Sequence, residues 1–377
     1  MKPIGRFDDF PAYTPIEPYD VLSARLGIPA DQIVKLDANE NLYGPSPKAI
    51  RALSSLDDTH TYPDPESRAL RGALAGYTGL PVKNLLAGAG ADELIDLTLR
   101  VMIGEGEAAL SFPPTFGMYA FDAHLNGAKL IEIPRRDDFS LDLVAVLKLA
   151  ETIQPKVIFL TSPNNPDGRM ITEDEFEAIL SLPALVVLDE AYIEFSDSGL
   201  GKSNSRIGEV LEHENLVVLR TFSKWAGLAG LRIGYGAFPE WMLPVLWKVK
   251  QPYNVNTAAS HAAIASIADQ DYLEANVMKI IAERQRLLTA LQKIPFLAPF
   301  PSRANFVLSK VTELSAKALQ GELMKQGILV RYYDTDLLHD YIRISVGRPQ
   351  DTDRLVEALQ NVSWEKGEYH ENRFCSV

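Results

Sequence analysis

The chain reads as an α/β protein: a large domain whose mostly parallel sheet is sandwiched by helices, then a smaller α+β domain. Three observations predict this. From about residue 85 to residue 237, short apolar runs alternate with longer amphipathic stretches, the rhythm of strands and crossover helices. Several of these runs are near-continuously apolar, as strands covered on both faces are. Beyond Pro295 the order changes to strand, helix, strand, strand, helix, which marks a separate α+β unit.

The first 35 residues hold five prolines and read as an arm, spanning 1–36, that packs on the smaller domain and the substrate site. Strands are expected at Ala108–Phe112, Lys129–Ile133, Val157–Thr161, Ala184–Leu188, Leu216–Leu219 and Arg232–Ala237. Glu173–Leu182 is predicted as a helix, and Thr172 with Glu175 three residues on has the form of a capping box. These elements make up a large domain over 37–275. Leu273, Val277, Ile280, Ile281, Leu287, Leu288 and Leu291 fall on one face of a long helix. Pro295 ends it, because the ring cannot continue the backbone ladder. The smaller domain, 276–377, takes strands at 305–309, 328–331 and 341–346, with helices at 314–325 and 352–360.

With 377 residues, 46% of them hydrophobic, the chain can bury two cores. Its formal net charge of −13 argues against nucleic acid as a partner, since phosphate backbones are bound by basic surfaces. Anionic small molecules would have to be met by locally placed arginines. No charged start followed by an apolar stretch and no membrane-length run is present. The single cysteine, Cys375, excludes an intrachain disulfide and is misplaced for a prenylation box. A cytoplasmic enzyme without a metal or a membrane partner is the expectation.

The chemistry centres on Lys224, in Arg220-Thr-Phe-Ser-Lys-Trp-Ala-Gly-Leu-Ala-Gly-Leu-Arg232. An amine beside the hydroxyls of Thr221 and Ser223, with a guanidinium at Arg232, suits a Schiff base to a phosphorylated aldehyde. Pyridoxal 5'-phosphate is such a molecule, with Arg232 on its phosphate. Asp189 ends an apolar run in Leu188-Asp-Glu-Ala-Tyr192, where ligands bind in open α/β sheets. Facing a pyridine nitrogen it would hold the ring protonated, and Tyr192 could donate to the phenolic oxygen. A cap on the next helix accounts for Asp189 equally well.

Asn165, in Ser162-Pro-Asn-Asn-Pro-Asp-Gly168, offers an amide to the same oxygen, although an ordinary turn fits too. Gly90, Ala91 and Asp92 open a helix-forming segment whose backbone N–H groups can hold a phosphate. A dinucleotide fingerprint is the competing reading, but its third glycine is missing. Tyr119, in Pro113-Pro-Thr-Phe-Gly-Met-Tyr119, is the candidate to stack on the cofactor ring, with Phe116 its local competitor. Arg343 stands mid-strand in an apolar run, where an unpaired charge is costly. It is either half of a structural ion pair or a clamp on a substrate carboxylate. Arg331 ends the preceding strand and offers a second anion contact.

Taken together with Leu36-Asp-Ala-Asn-Glu-Asn-Leu-Tyr-Gly-Pro45, Tyr62-Pro-Asp-Pro65 and Ser302-Arg-Ala-Asn-Phe-Val-Leu308, these segments are similar to those of fold-type I pyridoxal-phosphate aminotransferases. Within that family the chain resembles the branch acting on histidinol phosphate. The resemblance implies Lys224 as the Schiff-base lysine, Asp189 as the pyridinium partner, and Asn165 and Tyr192 on the phenolate. It implies Ala91, Asp92, Thr221, Ser223 and Arg232 on the phosphate and Tyr119 on the ring.

It further implies a homodimer with shared active sites, Tyr62 reaching the neighbouring subunit's cofactor. Tyr19, Asn165, Arg331 and Arg343 would contact substrate, Arg343 taking the carboxylate of glutamate and Arg331 and Tyr19 the phosphate. The implied reaction is transamination between L-glutamate and imidazole acetol phosphate. An aromatic amino-acid aminotransferase and, further off, a threonine-phosphate decarboxylase share this machinery. Two departures, Asp167 and Trp225, flank matching residues and are expected to bear on substrate fit.

Overall fold

The computed structural model describes residues 17–362; Cys375 and the tail from Tyr369 lie outside them. The strands in chain order are β1 (Val34–Leu36), β2 (Leu85–Gly88), β3 (Ala108–Ser111), β4 (Lys129–Glu132), β5 (Val157–Thr161), β6 (Leu185–Asp189), β7 (Leu216–Thr221) and β8 (Gly234–Ala237). They are followed by β9 (Leu297–Pro299), β10 (Phe306–Val311), β11 (Ile328–Tyr332) and β12 (Tyr341–Ser345). A seven-stranded sheet runs β2-β8-β7-β6-β5-β3-β4 and a five-stranded sheet runs β1-β11-β12-β10-β9. In the larger sheet only β8 is antiparallel to its neighbours.

Apolar residues alternate between two separate cores. Ile158, Leu160, Val186, Leu188 and Val218 pack on one side of the larger sheet. Val157, Phe159, Leu185, Val187, Val217 and Leu219 pack on the other. Burial on both faces is why these strands read as continuous apolar runs. The capping box forms as the spacing predicts: Thr172 Oγ1 accepts from the Glu175 N–H at 3.2 Å, and the Glu175 carboxylate accepts from the Thr172 N–H at 2.9 Å.

The structure departs from the sequence-based expectations at several places, among them β9 (Leu297–Pro299), which no expected strand covers. β2 has no counterpart among the expected strands, because its four residues end in the Gly88 that also opens the glycine loop. The long helix, Gln270–Leu291, runs unbroken through the expected 275/276 boundary, since its apolar stripe starts at Leu273. The arm ends in β1, which pairs in parallel with β11 of the smaller sheet. Among the described residues, no helix is long and apolar enough to cross a membrane.

Candidate active site

The site grows from the C-terminal ends of β5, β6 and β7, where alternation decides which side chains face which way. Asp189 continues the face of Val187, and Thr221 that of Leu219, so both reach the same cavity. Glu190 and Arg220 point to the opposite side, where they form a buried pair at 2.9 Å. The cavity is lined by Ala91, Phe116, Asn165, Asp189, Tyr192 and Lys224, among others. A roomier cleft behind Leu188 and Glu190 offers less to a ligand. Its Arg169 is already paired with Glu175, and its Arg206 with Glu173 and Glu209.

Asp189 is enclosed at the cavity floor. Its Oδ2 accepts from the Tyr119 hydroxyl at 2.7 Å and its Oδ1 from the Ala191 N–H at 2.9 Å. Burial pushes the carboxyl up to about 6, against the pull of the Tyr119 bond. A cation set against this group would therefore be favoured.

Lys224 Nζ donates to the Ala38 carbonyl at 3.3 Å and lies 5.9 Å from the centre of the Tyr192 ring. Burial pulls the amine down to about 8, and the positive charge of Arg343 adds to it. Arg232, the neighbour expected from the sequence, contributes less. Its guanidinium is engaged by Asp92 at 2.8 Å, which offsets its charge.

An anion cradle lies beside the lysine. The helix Ala91–Met102 starts at Gly90, whose φ of 88° lies in the left-handed region. A Cβ on Gly90 would come within 2.8 Å of Arg232 Nη2, and one on Gly234 within 2.6 Å of the Ala91 nitrogen. The absence of both side chains lets the helix start, the guanidinium and the β7–β8 ends converge. Thr221 Oγ1 donates to Ser223 Oγ at 2.9 Å, and Arg232 Nη1 lies 3.5 Å from the same oxygen. Helix N–H groups, two hydroxyls and an arginine are the donor set a phosphate monoester takes.

At the other end, Tyr192 accepts from Asn39 Nδ2 at 3.1 Å, which leaves its own proton to donate. Asn165 Oδ1 accepts from Arg343 Nη1 at 2.6 Å, leaving the amide N–H groups for a ligand. Arg343 Nη2 donates to the Asp37 carbonyl at 2.7 Å, and its Nε is buried without a partner. No carboxylate among the described residues pairs with it, so the structural ion pair is absent. These residues fit pyridoxal phosphate at every group the sequence singled out except the ring-stacking one.

Phe116, not Tyr119, lines the cavity. Tyr119 is buried behind it, stacked on Phe159 at 4.7 Å and bonded to Thr161 and Asp189, because the helix Met118–Leu125 turns it into the core. Neither departure reaches the cavity either. Asp167 is a buried turn residue accepting from Asn164 and from the Arg169 N–H at 2.8 Å. Trp225 is fully buried and stacks on Tyr77 at 5.6 Å. Tyr62 is 81% exposed and stacks on Tyr253 at 4.6 Å, away from its own chain's cavity. Tyr19 sits on the helix Tyr19–Leu26 with Lys35 Nζ 5.7 Å from its ring centre.

Asn39, which sequence reasoning does not single out, reaches the site through Tyr192. It adopts φ 55°, which asparagine tolerates better than most. It joins Tyr192, Ser345 and Asn305 through its amide and backbone. Its one signal is its place in the Leu36–Pro45 segment. Among the described residues, no group of three or more His, Cys, Asp or Glu could hold a metal.

A lysine converging with a buried acid and a helix-start anion cradle, at the strand ends of a mostly parallel sheet, defines a fold-type I pyridoxal-phosphate enzyme. Comparison with known proteins narrows the class. The family described as aminotransferase class I and II matches residues 31–359. Over 350 residues the chain is 51% identical to the chloroplastic histidinol-phosphate aminotransferase of Nicotiana tabacum, covering 93% of this chain and 84% of that protein. It is 46% identical over 359 residues to the histidinol-phosphate aminotransferase of Roseiflexus castenholzii, covering 93% and 95%. The structure is similar to that of histidinol-phosphate aminotransferase from Sinorhizobium meliloti in complex with pyridoxal-5'-phosphate, with a TM-score of 0.85, 29% identity, and coverage of 95% and 98%. The chain belongs to the class I and II aminotransferases.

Proposed function

We propose that this chain transfers the amino group of L-glutamate to imidazole acetol phosphate, giving 2-oxoglutarate and L-histidinol phosphate in histidine biosynthesis. One observation carries the reading. Arg343, bonded to a backbone carbonyl and to the Asn165 amide but to no acid, meets through Asn165 the cavity lined by Lys224 and Asp189. A guanidinium so placed is ready for a substrate anion. The shared name of relatives at 46–51% identity supports the phosphate-bearing substrate.

The residues divide the work. Gly90, Ala91, Asp92, Thr221, Ser223 and Arg232 would hold the cofactor's phosphate, Phe116 would cover its ring, and Asn165 and Tyr192 would donate to its phenolic oxygen. When bound, pyridoxal phosphate supplies the electron sink that makes the substrate's Cα acidic. Asp189, ionised once a cation faces it, keeps the ring nitrogen protonated. Lys224 Nζ, lowered to about 8, is neutral often enough near pH 7 to take the Cα proton as general base. Arg343 and Arg331 orient the anionic substrate, with Tyr19 closing from the arm.

The same reading makes the enzyme a homodimer with shared sites. The exposed Tyr62, stacked on Tyr253 and not among the residues that line the Lys224 cavity, supports this. A cytoplasmic location belongs to the proposal too, although the name of the tobacco relative is chloroplastic. Half-reactions with histidinol phosphate, phenylalanine and tyrosine as amino donors test the substrate. Faster reaction with histidinol phosphate is expected. A preference for the aromatic donors would make the enzyme an aromatic aminotransferase, and release of carbon dioxide from added O-phosphothreonine would make it a decarboxylase.

A further inference from the structure

Arg331 and Arg343 are direct cross-strand partners in the antiparallel β11–β12 pair. Like charges placed opposite each other in a sheet destabilise it, and neither guanidinium pairs with a carboxylate among the described residues. Something else must hold them there. Tyr333, the residue after β11, lies two positions beyond Arg331 and so on the same side of the chain. Its ring centre is 5.5 Å from the guanidinium carbon of Arg331 and 5.8 Å from that of Arg343. Phe306 faces Arg343 from β10 at 5.3 Å. Both guanidinium groups thus lie over one half-buried ring, within the reach of cation–π attraction.

We propose that Tyr333 is a positioning residue that holds Arg331 and Arg343 side by side as a single two-cation clamp for the substrate's anionic groups. This rests on the reading of the two arginines as substrate contacts. The ring supplies negative potential between two cations that would otherwise separate, and it limits the rotamers of two long side chains before substrate arrives. Pre-organisation of that kind appears in substrate affinity rather than in the chemical step. The class of ligand is set by the charge: a dicarboxylate, or a phosphate monoester, spanning two guanidinium groups.

The test uses the holoenzyme with Tyr333→Phe, Tyr333→Leu and Tyr333→Met, reading KM for glutamate and for histidinol phosphate, kcat, and the cofactor's visible absorbance. Phenylalanine keeps the ring and is expected to stay close to wild type. Leucine and methionine remove it and are expected to raise both KM values about tenfold, the scale of a desolvated cation–π contact, with kcat and absorbance little changed. Methionine, being flexible and of similar bulk, serves if the leucine variant does not fold. Wild-type KM values in the ringless variants would overturn the proposal. So would an equal loss in Tyr333→Phe, which would put the effect in the hydroxyl. Arg343→Ala, measured in parallel, separates the two claims. If it loses anion affinity while Tyr333→Leu does not, only the ring's role falls; if it keeps anion affinity, the arginine reading falls and the ring's role falls with it.

Discussion

The Tyr119 hydroxyl donates to Asp189 Oδ2 at 2.7 Å, from a ring stacked at 4.7 Å on Phe159. The bond favours the ionised carboxylate and opposes the burial that raises it to about 6. Tyr119→Phe removes the donor without removing the ring. The carboxyl should then rise further, and the acidic limb of the pH–rate profile should move to higher pH. Loss of a bond to a buried charged group costs about 1.5–3 kcal/mol, so a fall in kcat of about tenfold or more is expected. An unchanged acidic limb would remove Tyr119 from the electrostatics of the site.

Phe116 should respond differently. It lines the cavity without a polar group, so Phe116→Ala is expected to weaken cofactor retention, read as the dissociation constant of pyridoxal phosphate, by about tenfold. The pH profile should keep its shape. A shifted profile with normal retention would move the electrostatic role from Tyr119 to Phe116.

Lys224 Nζ is lowered to about 8 from 10.5, chiefly by burial and the Arg343 charge. Only the neutral amine attacks an aldehyde, so the rate at which apoenzyme captures pyridoxal phosphate should rise with pH through about 8 and level off above it. Arg343→Ala removes a positive neighbour and should move that midpoint upward. Lys224→Ala should abolish capture and turnover while leaving the fold intact by circular dichroism. A midpoint near 10.5 in the native protein would contradict the burial of the amine.

Much of this is legible from the chain alone because the strands of the larger sheet are buried on both faces. Six of its seven strands are expected from their apolar runs, and Asp189 and Lys224 follow from their places at or just beyond strand ends. What is not legible depends on rotation within a short helix. Phe116 and Tyr119 are three residues apart, and nothing in the sequence says which of them the Gly117 turn directs outward. Trp225 follows the lysine yet belongs to the core, so adjacency in sequence misleads about adjacency in space. The two-cation pair is hidden for a similar reason: Arg331 and Arg343 meet only through the β11–β12 register.

Arg343→Ala should also divide the two half-reactions. Its guanidinium reaches Asn165 and the Asp37 carbonyl, beside the lysine. Loss of a charge-assisted contact there should raise KM for glutamate by about tenfold to a hundredfold. Arg331→Ala, directly across the β11–β12 pair from Arg343, should act more on histidinol phosphate. Equal losses on both substrates in both variants would deny this division of the substrates between the two arginines and leave only their joint role as a clamp.

Asp122 offers a stability prediction apart from catalysis. It is 4% exposed, and its Oδ2 is buried without a partner. Burial, with the nearby charges of Asp96 and Asp92, raises the carboxyl to about 7 against an ordinary 3.8, while Arg100 pulls weakly the other way. In the unfolded chain the group loses its proton near 3.8, and in the native protein only near 7. Between those values the folded state binds the extra proton, so stability falls as pH rises through the window and stays low above it. Asp122→Asn removes the titration. Its melting temperature should exceed wild type by a few degrees at about pH 8 and by less at about pH 5. Equal differences at the two pH values would show that Asp122 ionises in the native protein as freely as in the unfolded chain.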